Sequence, residues 1–134
     1  MSTITARRHD IPDPDPYGRM PWEFAKRVGE EIADLLSPYC QRIAIAGSIR
    51  RKKEWVKDIE ILAVPDVQEA RNLLREVTTH ENLLDRAMDW LLMCDYRDGD
   101  DLVSGGLFRK RPNKNGQFTY GEKNKLLVHA PTGM

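Results

Sequence analysis

Two short apolar runs on either side of a basic turn constrain the fold of this chain more than any other feature of its sequence. Residues 42–46 place Ile43 and Ile45 on one face of a short strand. Residues 57–64 alternate with a period of two, which divides their side chains between two faces. One face carries Ile59, Ile61 and Ala63, and the other carries Asp58, Glu60, Leu62 and Val64. The pattern predicts two strands of a small sheet.

Helical patterns surround these strands. Apolar residues recur at helical spacing over residues 21–36, 67–77 and 83–92, which predicts three helices. Pro21 suits the first turn of the first helix. Asp66, followed three residues later by Glu69, forms a variant of the capping box before the second helix.

The remaining segments indicate loops and further strands. Residues 95–101 are interpreted as an acidic loop. Residues 105–121 contain short strand-like pieces and turns, with a hairpin signal at Asn115-Gly116. Residues 125–129 form a last strand candidate. The order of elements predicts an α/β or α+β fold in which helices cover a small mixed sheet.

Composition limits the classes of protein that remain. The 134 residues amount to one small domain. Lys plus Arg number 21, as do Asp plus Glu, so the zero net charge excludes a generally polybasic mode of nucleic-acid binding. No apolar run reaches the roughly 18 residues of a membrane span, and no signal-peptide core is present. Cys40 and Cys94 lack metal or redox spacing. We therefore expect a cytoplasmic protein without a membrane partner.

The N-terminus is expected to be separate from the folded domain. Asp10, Asp13 and Asp15 alternate with prolines, which disfavour both helix and central strand. We expect residues 1–20 to form a flexible tail and residues 21–134 to form the domain.

The basic turn contains the residue types that phosphate binding needs. Gly47 permits close approach of a backbone to a ligand. Ser48 offers a hydroxyl and can cap a following helical turn, whose free N–H groups favour an anion. Arg50 and Arg51 add guanidinium groups, which suit phosphate oxygens.

A carboxylate pair follows the basic turn. Asp58 and Glu60 lie two positions apart on the predicted strand, with Cα atoms ~6.6 Å apart. Their oxygens can converge on a hard divalent ion, and Mg²⁺ is typically held by one or two carboxylates with substrate phosphate oxygens. A Gly-Ser turn, a basic run or an acid pair is common alone on a solvated surface. Their combination favours metal-assisted phosphoryl or nucleotidyl transfer.

The combination resembles the nucleotidyltransferase fold, and within it the palm domain of family X (polymerase-beta-like) DNA polymerases. That family has a strand ending in Gly-Ser, an Arg-Arg pair, and then a strand with an acid-x-acid pair. The matching residues are Gly47, Ser48, Arg50, Arg51, Asp58 and Glu60. The resemblance covers residues 21–65 well and the rest of the chain loosely.

The resemblance implies a role for each matching residue of the turn. Ser48 and Arg51 would contact the triphosphate of an incoming nucleotide, and Gly47 would permit that approach. Arg50 would share in this nucleotide-binding turn or support it through a salt bridge.

The resemblance assigns the catalytic step to the carboxylates. Asp58 and Glu60 would bind two Mg²⁺ ions, one carrying the triphosphate and one activating an attacking hydroxyl. The expected function is transfer of a nucleotide from a nucleoside triphosphate to a hydroxyl, with a DNA 3′ end as the expected acceptor.

One element of the family pattern is not found. The family carries a third carboxylate on a later strand, in a stretch of the form Val-Asp-Leu-Phe, and this sequence has no such stretch. We expect the domain to lack its last strand or strands. Because losing such a ligand typically reduces the rate by orders of magnitude, we expect binding more firmly than turnover. Two alternatives stay open: an inactive module that binds a nucleotide or a partner protein, and an enzyme that nucleotidylates a small molecule or a protein.

Three further features complete the predictions. A second basic patch, residues 109–114, lies next to Phe108 and Phe118 and fits either a nucleic-acid backbone or a basic surface hairpin. Trp55 is expected to pack under the basic turn in preference to stacking on a base. His129 is expected to be structural or solvated in preference to catalytic.

Overall fold

Helices and short strands alternate along the chain. A computed structural model describes residues 4–6, 10–98, 101–113, 115–117 and 124–134. The helices are α1 (Trp22–Leu36), α2 (Gly47–Arg50) and α3 (Leu83–Met93), and a 3₁₀ turn spans Ser37–Tyr39. The strands are β1 (Ile4–Ala6), β2 (Met20–Pro21), β3 (Cys40–Ala46), β4 (Trp55–Val56), β5 (Glu60–Pro65), β6 (Val67–Arg71), β7 (Val77–Asn82), β8 (Tyr96–Asp98), β9 (Asp101–Val103), β10 (Phe108–Lys110) and β11 (Leu127–His129). The predicted α+β class is confirmed.

The chain divides into two units. The first unit is Pro12–Ala87, and the second combines Met1–Ile11 with Met88–Met134. Residues of the predicted tail contribute β1 to the second unit and β2 to the first. No helix in the described part of the chain is long and apolar enough to cross a membrane.

The centre of the first unit is the antiparallel pair of β3 and β5. Ala46 lies opposite Glu60 at the end of the pair that joins α2. Burial alternates along β5, so that Ile61 is half-buried and Leu62 is exposed. The predicted period of two is therefore confirmed. The strand begins at Glu60, so Asp58 lies in the link before it, because β4 pairs with β2 instead of extending β5.

Helix α1 covers the inner face of this pair. Its buried residues recur every three or four positions: Phe24, Ala25, Val28, Gly29, Ile32 and Leu36. A Cβ atom added at Gly29 would lie 3.4 Å from side-chain atoms of Ile45, Ile49 and Ile59. The helix backbone at Gly29 therefore approaches β3, α2 and the link into β5 so closely that an added Cβ atom would make ordinary van der Waals contact with all three. The predicted first helix is confirmed over Trp22–Leu36, but Pro21 lies just before its first turn, as the N-cap with an extended ψ of 145°.

A turn centred on Asp15 precedes α1. The Asp15 carboxylate accepts the backbone N–H of Tyr17 at 3.0 Å and that of Arg19 at 2.7 Å, and the Arg19 Nε donates to it at 2.6 Å. Burial acts to raise the pKa of Asp15, but the hydrogen bonds from Arg19 and Tyr17 and the Arg19 charge outweigh it. The pKa of Asp15 therefore lies below its ordinary value.

The prediction of a helix over residues 67–77 is wrong, because β6 and β7 form an antiparallel hairpin there. The Asn72 Oδ1 accepts the backbone N–H groups of Leu74 at 2.9 Å and Glu76 at 3.0 Å. An asparagine turn of this kind competes with helix formation and wins here over apolar periodicity. The Asp66 carboxylate does not begin the predicted helix; its Oδ1 accepts the Val67 N–H at 3.1 Å.

The second unit contains two small sheets. Strand β8 pairs with β1 in parallel and with β9 antiparallel, and β10 pairs antiparallel with β11. The acidic loop predicted at residues 95–101 is therefore wrong: Tyr96 is buried in β8 opposite Val103 in β9. The helix predicted at residues 83–92 and the last strand are confirmed as α3 and β11. Cys94 in this unit and Cys40 in the first are free thiols, and burial raises the pKa of each.

We predict that Ile32→Ala lowers the free energy of unfolding by about 2–5 kcal/mol, because it opens a cavity beneath α1. Leu62→Ala is the control, since it removes a similar side chain from the exposed face of β5 and should change stability by no more than about 0.5 kcal/mol. Urea unfolding followed by circular dichroism measures both. Equal losses for the two variants would contradict the assignment of the inner face.

We also predict an acid-dependent contribution from Asp15. Because its folded pKa is depressed, its stabilisation is present above the ordinary value of 3.8 and is lost as the pH falls through the folded pKa. Asp15→Asn should therefore destabilise the protein at pH 6 and lose that disadvantage at strongly acidic pH. Thermal unfolding of both proteins across this range tests the prediction. A destabilisation that does not change with pH would refute it.

Candidate functional site

Gly47 and Glu60 meet where β3 turns into α2. Gly47 is buried and has a φ of +65°, in the left-handed region that favours glycine. A Cβ atom at this position would lie 2.5 Å from Glu60 Oε2 and 3.1 Å from Glu60 Cβ. The Glu60 side chain therefore packs directly on the Gly47 backbone. Two residues that the sequence analysis assigned to one site are in contact.

Ser48 and Arg51 face each other across the single turn of α2. The Ser48 Oγ accepts a hydrogen bond from Arg51 Nη2 at 3.5 Å, and the Arg51 backbone N–H donates to the Gly47 carbonyl at 3.1 Å. The prediction that Ser48 caps this helix is wrong, because Ala46 is the N-cap and no side chain caps it. The Ser48 hydroxyl instead lies within reach of a guanidinium group.

Cationic side chains cover the outside of the same turn. Arg50, Arg51, Lys52 and Lys53 are all exposed. Lys52 has a φ of +57°, and the Lys53 N–H donates to the Ser48 carbonyl at 3.1 Å. These contacts reverse the chain direction immediately after α2. The basic turn is therefore a defined loop that presents its charges to solvent.

Trp22 anchors this loop, and sequence reasoning did not assign it that role. Its indole Nε1 donates to the Ile49 carbonyl at 2.9 Å, and its backbone N–H donates to the Glu54 carbonyl at 3.0 Å. The ammonium of Lys26 lies 5.1 Å from the centre of the Trp22 ring. Trp22 and Ile49 are 27 positions apart, so no local sequence signal indicates the contact.

Asp58 lies beside the start of β5, in the link from β4. Asp58 and Glu60 are both exposed, whereas Ile59 between them is in contact range of Gly29 on α1. The carboxylates of Asp58 and Glu60 are therefore exposed, whereas the side chain of Ile59 between them packs toward α1. Trp55 in β4 is half-buried and lies opposite Pro21 in β2, and its packing under the basic turn stays a prediction.

Among the described residues, no group of three or more His, Cys, Asp or Glu side chains is placed to hold a metal ion. The carboxylates of the candidate site in this part of the chain are thus those of Asp58 and Glu60. Carboxylate oxygens are hard donors, and Mg²⁺ takes one or two of them together with phosphate oxygens. The residues present therefore fit Mg²⁺ delivered with a phosphorylated ligand.

In the described part of the second basic patch, the neighbouring aromatic residue is buried. Arg109 and Lys110 are exposed on β10, but Phe108 is only 4% exposed, so it is not available to stack on a base. Phe118 and Lys114 lie outside the described residues.

His129 belongs to the interior of the second unit. It is buried, its Nδ1 lies 2.8 Å from Thr132 Oγ1, and its ring centre lies 5.8 Å from that of Phe108. This environment is that of a structural histidine.

Comparisons with known proteins assign no family. No protein-family profile matches the chain, and neither the curated proteins nor the solved structures contain a significant match. Interpretation of the site therefore depends on its own residues and their geometry.

We predict that Gly47→Ala destabilises the first unit more than Gly18→Ala does. Both glycines have positive φ values, so each alanine adds about 1–2 kcal/mol of backbone strain. Only at Gly47 does the new Cβ atom also collide with Glu60, because nothing lies within 4 Å at Gly18. Chemical unfolding of both variants measures the difference.

A double variant tests the source of this difference. Adding Glu60→Ala to Gly47→Ala removes the carboxylate from the collision and should recover part of the lost stability. Strictly additive effects of the two substitutions would contradict the contact.

Proposed function

We propose that this chain binds a nucleoside triphosphate together with Mg²⁺ at the Gly47–Arg50 turn and the Asp58–Glu60 carboxylates, and that the reaction served is nucleotidyl transfer. The observation that carries the proposal is the contact between Gly47 and Glu60. Through this contact, Glu60 of the carboxylate pair lies next to Gly47 of the proposed phosphate-binding turn. A basic turn alone, or a carboxylate pair alone, does not distinguish a binding site from an ordinary surface.

The turn supplies attraction and orientation for the phosphates. The Ser48 hydroxyl and the Arg51 guanidinium already lie within 3.5 Å of each other, so a phosphate oxygen can bind both without large rearrangement. Arg50 adds a second exposed guanidinium beside them. The glycine keeps the start of the turn free of a side chain, and the Trp22 hydrogen bond to Ile49 holds the turn in place.

Asp58 and Glu60 would hold the metal. When bound with a triphosphate, Mg²⁺ neutralises phosphate charge and lowers the pKa of a coordinated hydroxyl. The contribution of the chain is to supply two exposed carboxylates, of which that of Glu60 lies next to Gly47 at the start of the cationic turn. Arg51 would orient the phosphates through its hydrogen-bonding groups.

The proposed acceptor is a hydroxyl group at a DNA 3′ end. Lys52 and Lys53 extend the exposed positive charge beyond the residues that a triphosphate would contact. Such charge suits the phosphates of a nucleic-acid backbone. Nucleotidylation of a small molecule or a protein is the alternative, and it predicts activity that depends less steeply on salt concentration. An inactive nucleotide-binding module is the second alternative, and it predicts binding without turnover.

We predict that a nucleoside triphosphate binds in calorimetric titrations with Mg²⁺, and that Asp58→Asn with Glu60→Gln abolishes the Mg²⁺-dependent part of this binding. Both substitutions keep side-chain size but remove the charge that a divalent cation needs. The matched control is Asp13→Asn with Asp34→Asn, which neutralises two exposed carboxylates outside the site. It should bind like the unmodified chain.

Arg51→Ala is tested beside these variants. It should weaken triphosphate binding by roughly ten-fold or more with Mg²⁺ present, because it removes a charged hydrogen bond to phosphate. Binding that survives all of these substitutions would overturn the proposed site. Binding without nucleotide transfer to any hydroxyl acceptor would retain the site and favour the inactive module.

A further inference from the structure

Trp22 binds the basic turn at two points. Its indole Nε1 donates to the Ile49 carbonyl in α2 at 2.9 Å, and its backbone N–H donates to the Glu54 carbonyl at 3.0 Å. Residues 50–53, which carry the four exposed cations, lie between these two acceptors in the sequence. One residue at the start of α1 therefore holds both ends of the cationic segment.

The conformation of this segment depends on such support. Lys52 has a φ of +57°, a left-handed conformation that is unfavourable for a residue with a side chain. Four consecutive cations also repel one another at the short distances within a turn. The Ile49 carbonyl accepts the Lys52 N–H at 3.0 Å as well as the Trp22 indole, and the two lone pairs of its oxygen permit both bonds. Trp22 thus binds the same carbonyl that closes the turn at Lys52.

Further contacts orient the Trp22 ring. The residue is half-buried, and its backbone bond to Glu54 extends the pairing of β2 with β4, in which Pro21 lies opposite Trp55. The ammonium of Lys26, one turn later in α1, lies 5.1 Å from the ring centre. These contacts hold the ring in the orientation from which its Nε1 reaches Ile49.

We propose that Trp22 is a positioning residue of the triphosphate site: through its hydrogen bond to Ile49, it holds Ser48 and Arg51 in the arrangement that receives the phosphates. Ile49 lies between these two residues in the sequence, and Ser48 Oγ and Arg51 Nη2 are 3.5 Å apart. Displacement of the Ile49 carbonyl would therefore move the backbone that carries both groups. This inference rests on the proposed function, because it concerns the affinity of the same site.

Calorimetric titration of a nucleoside triphosphate in the presence of Mg²⁺ tests the inference. Trp22→Phe removes the indole donor and keeps an aromatic ring beside Lys26, so it should weaken binding roughly two- to ten-fold, the effect of one lost hydrogen bond. The matched control is Trp90→Phe, the same substitution at a half-buried position of α3 in the second unit. It should bind like the unmodified chain. Equal affinities of the two variants would overturn the inference.

An analogue isolates the contribution of the indole N–H from that of the ring. Benzothienylalanine incorporated at position 22 keeps the shape of tryptophan and has sulfur where the indole carries its N–H. It should weaken triphosphate binding as much as Trp22→Phe does. Affinity equal to that of the unmodified chain would show that the hydrogen bond positions nothing.

A double variant distinguishes positioning from a merely structural role. Trp22→Phe should change the affinity less once Arg51→Ala has removed one of the groups that Trp22 positions. A structural role would lower the stability of the first unit and leave the triphosphate affinity of the folded protein unchanged. Circular dichroism of each variant verifies the fold. Fully additive losses of affinity would contradict positioning through Arg51.

Hydrogen exchange without ligand separates failure of this inference from failure of the proposed function. Trp22→Phe should speed exchange of the Lys52 and Lys53 amides, which donate to the carbonyls of Ile49 and Ser48, at least three-fold relative to amides of the β3–β5 pair. Unchanged exchange in a chain that binds triphosphate would overturn the inference alone. An unmodified chain that binds no triphosphate would overturn the proposed function and this inference with it.

Discussion

The close approach of α1 to the β3–β5 pair at Gly29 is the contact on which the first unit depends. Three isoleucines from β3, α2 and the link into β5 lie 3.4 Å from the point where a side chain would begin on that helix: Ile45, Ile49 and Ile59. One glycine thus brings together the two strands and the turn between them. A Cβ atom at position 29 would still make ordinary contacts, but a side chain that extends beyond Cβ would displace at least one of these elements, because close-packed interiors do not absorb added atoms without strain.

This packing also determines where the polar groups lie. Because Ile59 enters the core, its neighbours Asp58 and Glu60 remain outside. Because Ile49 enters the core, the remainder of the basic turn is displaced to the surface, where Trp22 fixes it. The candidate site therefore requires no separate scaffold. The apolar residues that stabilise the unit alternate with the residues proposed to bind phosphate and metal.

Sequence patterns predicted this part of the molecule well for a physical reason. The first helix and the two strands bury regular faces against each other, so their periodicity reflects packing that is present. Ser48 was assigned the wrong partner, because Ala46 takes the capping position and the hydroxyl binds Arg51. The contact of Trp22 with Ile49 joins distant positions, and no local pattern could reveal it.

The wrong predictions share a different cause. Leu73 and Leu74 have helical spacing relative to their neighbours, but no core exists for that face to cover. The side-chain hydrogen bonds of Asn72 then determine the conformation. Around Tyr96, two short strands form because β8 pairs with β1 from the far end of the chain. Long-range pairing of three-residue strands leaves too few residues to show a period.

Under the proposed function, the two charged parts of the site have opposite electrostatic effects on a triphosphate. An incoming triphosphate is attracted by Arg50 and Arg51 and repelled by Asp58 and Glu60. A divalent cation reverses the sign of the second interaction, since it adds two positive charges between carboxylate and phosphate oxygens. Mg²⁺ and triphosphate should therefore each raise the affinity of the other, and by linkage the two enhancements are equal.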